Sequence, residues 1–403
     1  MATRRSFIRN SANILALGAL AVAKVRAADL PGVTDTEIKV GQTFPYSGPA
    51  SSYGLSGRIQ LAYLKMINER GGVNGRKITL ISLDDAYSPP KTVEQTRRLV
   101  EQEQVAFIWG SLGTPTNMAI REYLNNAKIP QLFIATGTST FNDPERFPWT
   151  LPGLFQYRTE SRIFTKHILA SDANAKISIL YQNDDFGRDY LNGIYDVLGA
   201  QNEKALVKAL SYEVSDPTVD SQIITLKGSG ANNLVLAATP KAAAQAIRKS
   251  FDLDWRPERY VTYASSAITS VMKTAGVEKS KGVISSAIVK NPDDPAWKDD
   301  PAILEYFTFM AKYMPGEPTV DYSASLAYEA GWTLVELISR CGNDLSREHI
   351  LWQATHLENV RGPMLLPGGV IETTPTDYRP LRSAQLERFD GERWQLFGDP
   401  ISG

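Results

Sequence analysis

Two short stretches carry the side chains best suited to holding a ligand. Ser111-Leu112-Gly113-Thr114-Pro115-Thr116 follows the apolar run VAFIWG, and Thr136-Gly137-Thr138-Ser139-Thr140 follows PQLFIA. Such apolar runs read as buried parallel strands, and ligands of open α/β sheets bind outside the carboxyl ends of those strands. A helical pattern begins directly after the first stretch. A helix N-terminus offers free N–H groups and a partial positive charge to an anion such as a carboxylate. For either stretch alone, ordinary βα-loop and capping chemistry is the alternative. Two adjacent loops of this kind together point to a site.

Other chemistry finds less support. No GxGxxG follows a strand and no GxxxxGK[ST] occurs, which argues against a nucleotide. HExxH and paired CxxC are absent, and His167, His349 and His356 do not form a zinc set. His167 and His349 sit in helical patterns and read as surface or packing residues. Asp84-Asp85 and Asp184-Asp185 follow strands, where they serve either as carboxylate pairs for acid/base or metal work or as helix caps. There is no GxSxG nucleophile elbow. No catalytic residue, metal or cofactor is assigned, and an enzyme is disfavoured. Tyr46, Tyr53, Phe186 and Tyr322 stand near the same strand ends, an aromatic set suited to a partly apolar ligand.

The elements that must position these residues alternate. Strands at 37–44, 77–83, 105–109 and 131–135 are separated by helices at 54–70, 92–103 and 116–127. After the breaker-rich PERFPWTLP (144–152) the alternation restarts, with helices at 161–170, 187–198, 219–227 and 240–251. Strands at 176–181, 205–212, 232–237, 260–263 and 282–289 accompany them. Helices follow at 302–313, 322–340 and 347–354, then a hairpin of 386–390 with 393–397 around Gly391. Right-handed βαβ crossovers then give α/β architecture: two Rossmann-like lobes with parallel sheets, joined by several crossings. The expected bounds are 29–150 with 289–357 for one lobe and 151–288 with 358–403 for the other. Domain closure around a ligand is a known use of such a hinge.

Length and composition fit two soluble domains: 403 residues, 43% hydrophobic and 22% charged. Residues 1–28 carry Arg4, Arg5, Arg9, Lys24 and Arg26 with no acid. Without them the formal charge falls from −1 to −6, which argues against a nucleic-acid partner. The basic start, the apolar stretch Ile14–Ala23 and the small residues Ala27 and Ala28 read as a cleaved secretory signal, too short for a membrane span. Thr3-Arg4-Arg5-Ser6-Phe7-Ile8-Arg9 resembles a twin-arginine signal, with a Sec signal as the alternative. The expected location is therefore the periplasm. The single cysteine, Cys341, excludes an intramolecular disulfide and reads as a packing residue.

Taken in order, Ile38-Lys39-Val40-Gly41, Ser47-Gly48-Pro49, Ile67–Gly75 (INERGGVNG), Asp84-Asp85, the Gly110–Thr116 loop, Ile129-Pro130, Asp184-Asp185-Phe186-Gly187 and Gly362-Pro363 resemble the periplasmic solute-binding proteins of branched-chain amino acid ABC transporters. The resemblance covers the whole mature chain. It implies a type I periplasmic binding fold with three crossings, closing over a small solute. By position, Thr114 matches the family's carboxylate-binding hydroxyl, and Ala135 with Gly137 or Thr138 matches the donors of the next loop. Tyr53 and Phe186 match aromatics flanking the ligand. With the strand-end reading, the expected ligand set is Tyr53, Ser111, Thr114, Ala135, Thr136, Gly137, Thr138, Phe186, Thr239, Ser265 and Tyr322.

The departures are as informative. Where the amino-acid binders place an acid for the ligand ammonium, this chain has Ala264-Ser265-Ser266, and Ala238-Thr239 replaces an aromatic before Pro240. An ammonium buried without a charge partner is costly. The expected solute is therefore a carboxylate without an α-amino group, aromatic or aliphatic, with a hydrophobic amino acid as the alternative. The family's disulfide is replaced by Tyr87 and Gly113. The expected partners are permease subunits of an importer, the protein acting as a monomer. A ligand sensor of the same fold and a secreted hydrolase are the competing classes.

Overall fold

In the computed structural model the described residues are 30–402, so the expected signal segment lies outside them. Apolar runs of three to eight residues form most of the strands, and most are followed by a helix. The first half runs β1 (Glu37–Phe44), α1 (Gly54–Glu69), β2 (Lys77–Asp84), α2 (Pro89–Arg97), β3 (Phe107–Trp109), α3 (Thr114–Asn126), β4 (Gln131–Ile134) and β5 (Thr150–Pro152). These strands make one parallel sheet, ordered β2-β1-β3-β4-β5.

The second half runs α4 (Tyr157–Ser171), β6 (Ile177–Gln182), α5 (Asp185–Asn202), β7 (Leu206–Tyr212), α6 (Asp220–Gly228), β8 (Asn233–Ala237), α7 (Pro240–Asp252), β9 (Glu258–Val261), α8 (Val277–Ser280) and β10 (Ile284–Ala287). Next come α9 (Pro301–Tyr313), α10 (Tyr322–Cys341) and α11 (Arg347–Ala354), then β11 (Ser383–Phe389) and β12 (Trp394–Ser402). The second sheet is ordered β12-β11-β10-β9-β8-β6-β7, parallel except for the antiparallel β11 and β12.

The fold is thus α/β with two parallel-sheet lobes, as expected from the alternation. The chain passes between the sheets three times: after β5, after β10 and before β11. After the second passage α9 and α10 return to pack on α1 of the first lobe. No helix among the described residues is long and apolar enough to cross a membrane.

Several boundaries differ from the sequence reading for local reasons. The helix expected over 92–103 starts at Pro89, because proline suits a first helical position. It passes at Arg98 into a π-helical turn, Arg98–Gln102. The helix expected from Ser161 begins four residues earlier, at Tyr157. The breaker-rich 144–152 contributes the short edge strand β5. Asp184 caps α5, accepting from the Phe186 and Gly187 N–H groups at 3.0 and 3.3 Å, so here the capping alternative holds.

Candidate functional site

In each sheet the strand order reverses once, between β1 and β3 and between β6 and β8. The crevices outside those carboxyl ends are where open α/β sheets hold ligands, and here they face each other. A cavity of about 120 Å³ lies between them, bordered by Trp109, Gly110 and Thr114 from one lobe and by Phe186, Thr239 and Tyr263 from the other. Hydrogen bonds bridge the lobes beside it. Gln182 Nε2 donates to Tyr87 Oη at 3.4 Å, and Asp189 accepts from the N–H and hydroxyl of Ser139, both at 2.6 Å.

On the first lobe's wall, Gly113 precedes α3 with φ +109°, a conformation L side chains rarely adopt. A Cβ there would lie 2.6 Å from Tyr87 Cε2. Residues 87 and 113, which the resemblance pairs, are therefore in contact, and Tyr87 packs over the bare glycine. Glycine supplies no side-chain cap, so the first-turn amides of α3 are not satisfied by one. Thr114 Oγ1 is 2.7 Å from Thr136 Oγ1 and 2.9 Å from Thr138 Oγ1. When both neighbours donate to Thr114, its own proton is left for a ligand. Burial holds the Tyr53 and Tyr87 phenols well above their ordinary range, so both stay protonated donors.

The second lobe's wall is aromatic. Tyr157 meets Phe186 edge-on at 4.8 Å, and Tyr263 lies 5.7 Å from Tyr157 and 6.4 Å from Tyr322 between ring centroids. Phe133 also faces the cavity. It has φ +46° within β4, where the pairing with β5 is irregular, and such a bulge re-aims a side chain.

Of the expected set, Tyr53, Thr114, Ala135, Phe186, Thr239 and Tyr322 line the cavity. The other five lie behind its wall, each with a structural task. Ser111 Oγ accepts from the Thr43 N–H at 3.0 Å, and Ser265 Oγ donates to the Ala238 carbonyl at 2.6 Å. Thr136 and Thr138 hold Thr114. Gly137 gives its carbonyl to the Tyr157 N–H at 2.9 Å, and a Cβ on it would sit 2.1 Å from the Phe155 oxygen.

The sequence reading missed Gln60, Tyr87, Trp109, Tyr157 and Tyr263 as wall residues. Only Tyr87 carried a signal, as a position of the missing disulfide.

Among the described residues no lysine or arginine borders the cavity, and Glu329 is the only carboxyl that does. Burial pushes Glu329 up to about 7, against the Met364 N–H that its Oε2 accepts at 2.8 Å. That contact turns the carboxyl toward the 362–364 loop. On the turn after β9, Ala264 faces the cavity and Ser265 is turned away. No group of three or more potential metal ligands occurs among the described residues.

Residues 37–392 match the periplasmic binding protein family. The Leu/Ile/Val-binding protein homolog 7 of Brucella abortus is 26% identical over 258 residues, 60% of this chain and 62% of the relative. The chain thus spans about three fifths of the length of the curated relatives it first matches. Among solved structures, a branched-chain amino acid ABC transporter protein from Thermus thermophilus with bound valine superposes with TM-score 0.82 at 16% identity, covering 92% of this chain and 97% of that one. The fatty acid ABC transporter substrate-binding protein of Thermomonospora curvata gives 0.79 at 18%, covering 93% and 94%. These similarities carry the fold. The family match takes in both lobes and all three crossings, and on that ground the chain belongs to the periplasmic binding protein family, with its type I fold.

Proposed function

We propose that this is the extracytoplasmic binding protein of an ABC importer, capturing a small carboxylate-bearing solute without an α-amino group and presenting it to membrane permease subunits. In this reading the chain is exported by its N-terminal signal and works as a monomer. Its lobes comprise 29–150 with 289–357 and 151–288 with 358–403. The ligands named for its relatives, amino acids and fatty acids, share a carboxylate.

One observation carries the reading. The α3 N-terminus and Thr114 offer hydrogen-bond donors on one wall, while Ala264 occupies the place where an ammonium would need an acid. Among the described residues a carboxylate here finds no cation, so the helix terminus and hydroxyls must hold it, as they do at anion sites elsewhere. An ammonium would be desolvated with nothing to pair it. Closure then excludes water and strengthens each of those bonds.

Calorimetric titration with leucine, benzoate, phenylacetate and a series of short aliphatic acids tests it. Binding of the acids with weak or absent leucine binding is expected. Tight leucine binding without response to the acids would sink the proposal.

A further inference from the structure

The cavity does not end at the cleft. α1 and α10 both start at its rim and run down side by side, Ser56 Oγ donating to the Ser323 carbonyl at 3.2 Å. Along α10, Ser323, Leu326, Ala327, Ala330 and Thr333 border the cavity in helical spacing. Ten positions separate the first from the last, about 15 Å at 1.5 Å per residue. The opposite side is the sheet, through Phe44, Trp109 and Phe133. Helix and sheet layers normally interlock without such a gap. At about 10–15 Å³ per water, the 120 Å³ cavity takes roughly ten non-hydrogen atoms.

Within this largely apolar channel stands a buried polar side chain with a free donor, Gln60, while the Glu329 carboxyl of α10 is turned to the Met364 N–H. Gln60 lies seven residues down α1 from the rim residue Tyr53, about 10 Å below it, and is only 4% exposed. Its amide orientation is fixed by neighbours. Gln42 Nε2 is 3.4 Å from the main-chain oxygens of Trp109 and Gly110, so that atom must be the nitrogen. Ser82 Oγ donates to Gln42 Oε1 at 2.8 Å and is itself 2.6 Å from Tyr46 Oη. Gln42 Nε2 then donates to Gln60 at 2.7 Å, and the accepting atom must be Oε1. The Gln60 Nε2 is left without a protein acceptor among the described residues and opens on the channel.

We infer that the cleft takes an elongated monocarboxylate whose apolar body lies between α10 and the sheet and carries an oxygen acceptor (ether, keto or hydroxyl) bound by the Gln60 amide. The inference rests on the carboxylate reading above and adds the ligand's length and its second polar point. A chain of two to four carbons reaches neither the channel nor Gln60. An acceptor placed along the body satisfies a buried donor that a purely apolar tail would leave unpaired.

Isosteric probes test this by calorimetry: octanoate against butanoate, and 4-methoxybenzoate against 4-ethylbenzoate, which differ by one ether oxygen. The wild type should bind octanoate at least tenfold tighter than butanoate and prefer the methoxy acid at least fivefold. Gln60→Leu should abolish the methoxy preference while retaining octanoate. Gln60→Met, of similar length and without a donor, should abolish the preference as well. Thermal melts show that each variant is folded; if Gln60→Leu fails to fold, Gln60→Met decides. Equal affinity for the two benzoates, a preference that survives both variants, or no gain from butanoate to octanoate overturns the inference while leaving the carboxylate reading intact. Leucine binding with no acid bound overturns both.

Discussion

Asp189 on α5 accepts from both the main-chain N–H and the hydroxyl of Ser139, each at 2.6 Å, and so ties the second lobe to the loop after β4 of the first. The carboxylate is 4% exposed, and burial pushes it up to about 6 against the opposing pull of the two Ser139 bonds. Opening the lobes returns it to water and to about 4. The closed form therefore binds the proton more tightly, and closure is favoured as pH falls from 7 toward 4. Ligand affinity should rise over pH 7 to 5, where the solute is still ionised. Asp189→Asn can keep one accepted and one donated bond, so its affinity should be near wild type but flat with pH. Asp189→Ala should weaken binding by about tenfold, the worth of hydrogen bonds to a charged group. Titrations of the three proteins at pH 5, 6 and 7 check this; a wild-type affinity that falls on acidification contradicts the assignment.

Thr114 is the hydroxyl through which Thr136 and Thr138 act on the cleft. Thr114→Val keeps the shape, removes the donor and leaves two buried hydroxyls short of a partner. Its carboxylate affinity should drop by about tenfold or more, with a stability loss of about 1 kcal/mol. Thr114→Ser should retain most of the binding. Calorimetry and thermal melts on both variants separate the two effects. Equal binding by the valine and serine variants would remove Thr114 from the site.

Buried acids elsewhere set the pH response of the fold. Glu160 is pushed up to about 7 by burial, although Ser286, Tyr190 and the Tyr263 N–H bond to it. Glu387 goes to about 8, also by burial, with Asn291 donating to Oε2 at 2.7 Å and Oε1 unpartnered. Both hold protons in the folded state at pH values where the unfolded chain has lost them. Their contribution is full below pH about 4.5 and is lost as pH rises through 7 to 8. Asp84 works the other way: the Ser47, Ala86 and Lys91 bonds hold it below its ordinary range, so its contribution disappears in acid. The Tm should peak near pH 5 and decline toward pH 8. Glu387→Gln should flatten the decline and raise the Tm at pH 8 by roughly 3 °C. A wild-type Tm that climbs from pH 5 to 8 would contradict this assignment.

The cleft's rim was legible in the sequence because strand ends announce themselves: an apolar run, then small hydroxyl residues, then a helix. Thr114, Ala135 and Thr239 follow from that pattern. Ser111 and Ser265 show its limit, since a hydroxyl at a strand end serves a neighbouring backbone group as readily as a ligand. The channel was not legible. Gln60 reads as one more polar position on α1 until α10, more than 260 residues later in the chain, covers it. Tyr157 was lost to a boundary, because the helix after the breaker-rich 144–152 was expected to start only at Ser161. Gln42 and Tyr46 come from β1 and the residues just after it, Ser82 from β2, and strand register brings them into one relay.

Ala264 offers a gain-of-function test of what excludes amino acids. It borders the cavity on the turn after β9, with its N–H held by Thr262 Oγ1 at 3.2 Å, so its backbone is fixed and its side chain is small. A carboxylate placed there meets the position of an incoming α-ammonium. In the free protein that acid is partly desolvated and should lower the Tm. With leucine bound, the charges pair in a closed, water-poor site, where a like-sized neutral group gains far less. Ala264→Asp should therefore bind leucine at least tenfold better than wild type and bind simple carboxylates less well, through repulsion of their single charge. Ala264→Asn controls for volume. Calorimetry at pH 7.5 should show the leucine gain in the aspartate variant alone; the same gain in both variants would mean that shape, rather than a missing charge, sets the selectivity.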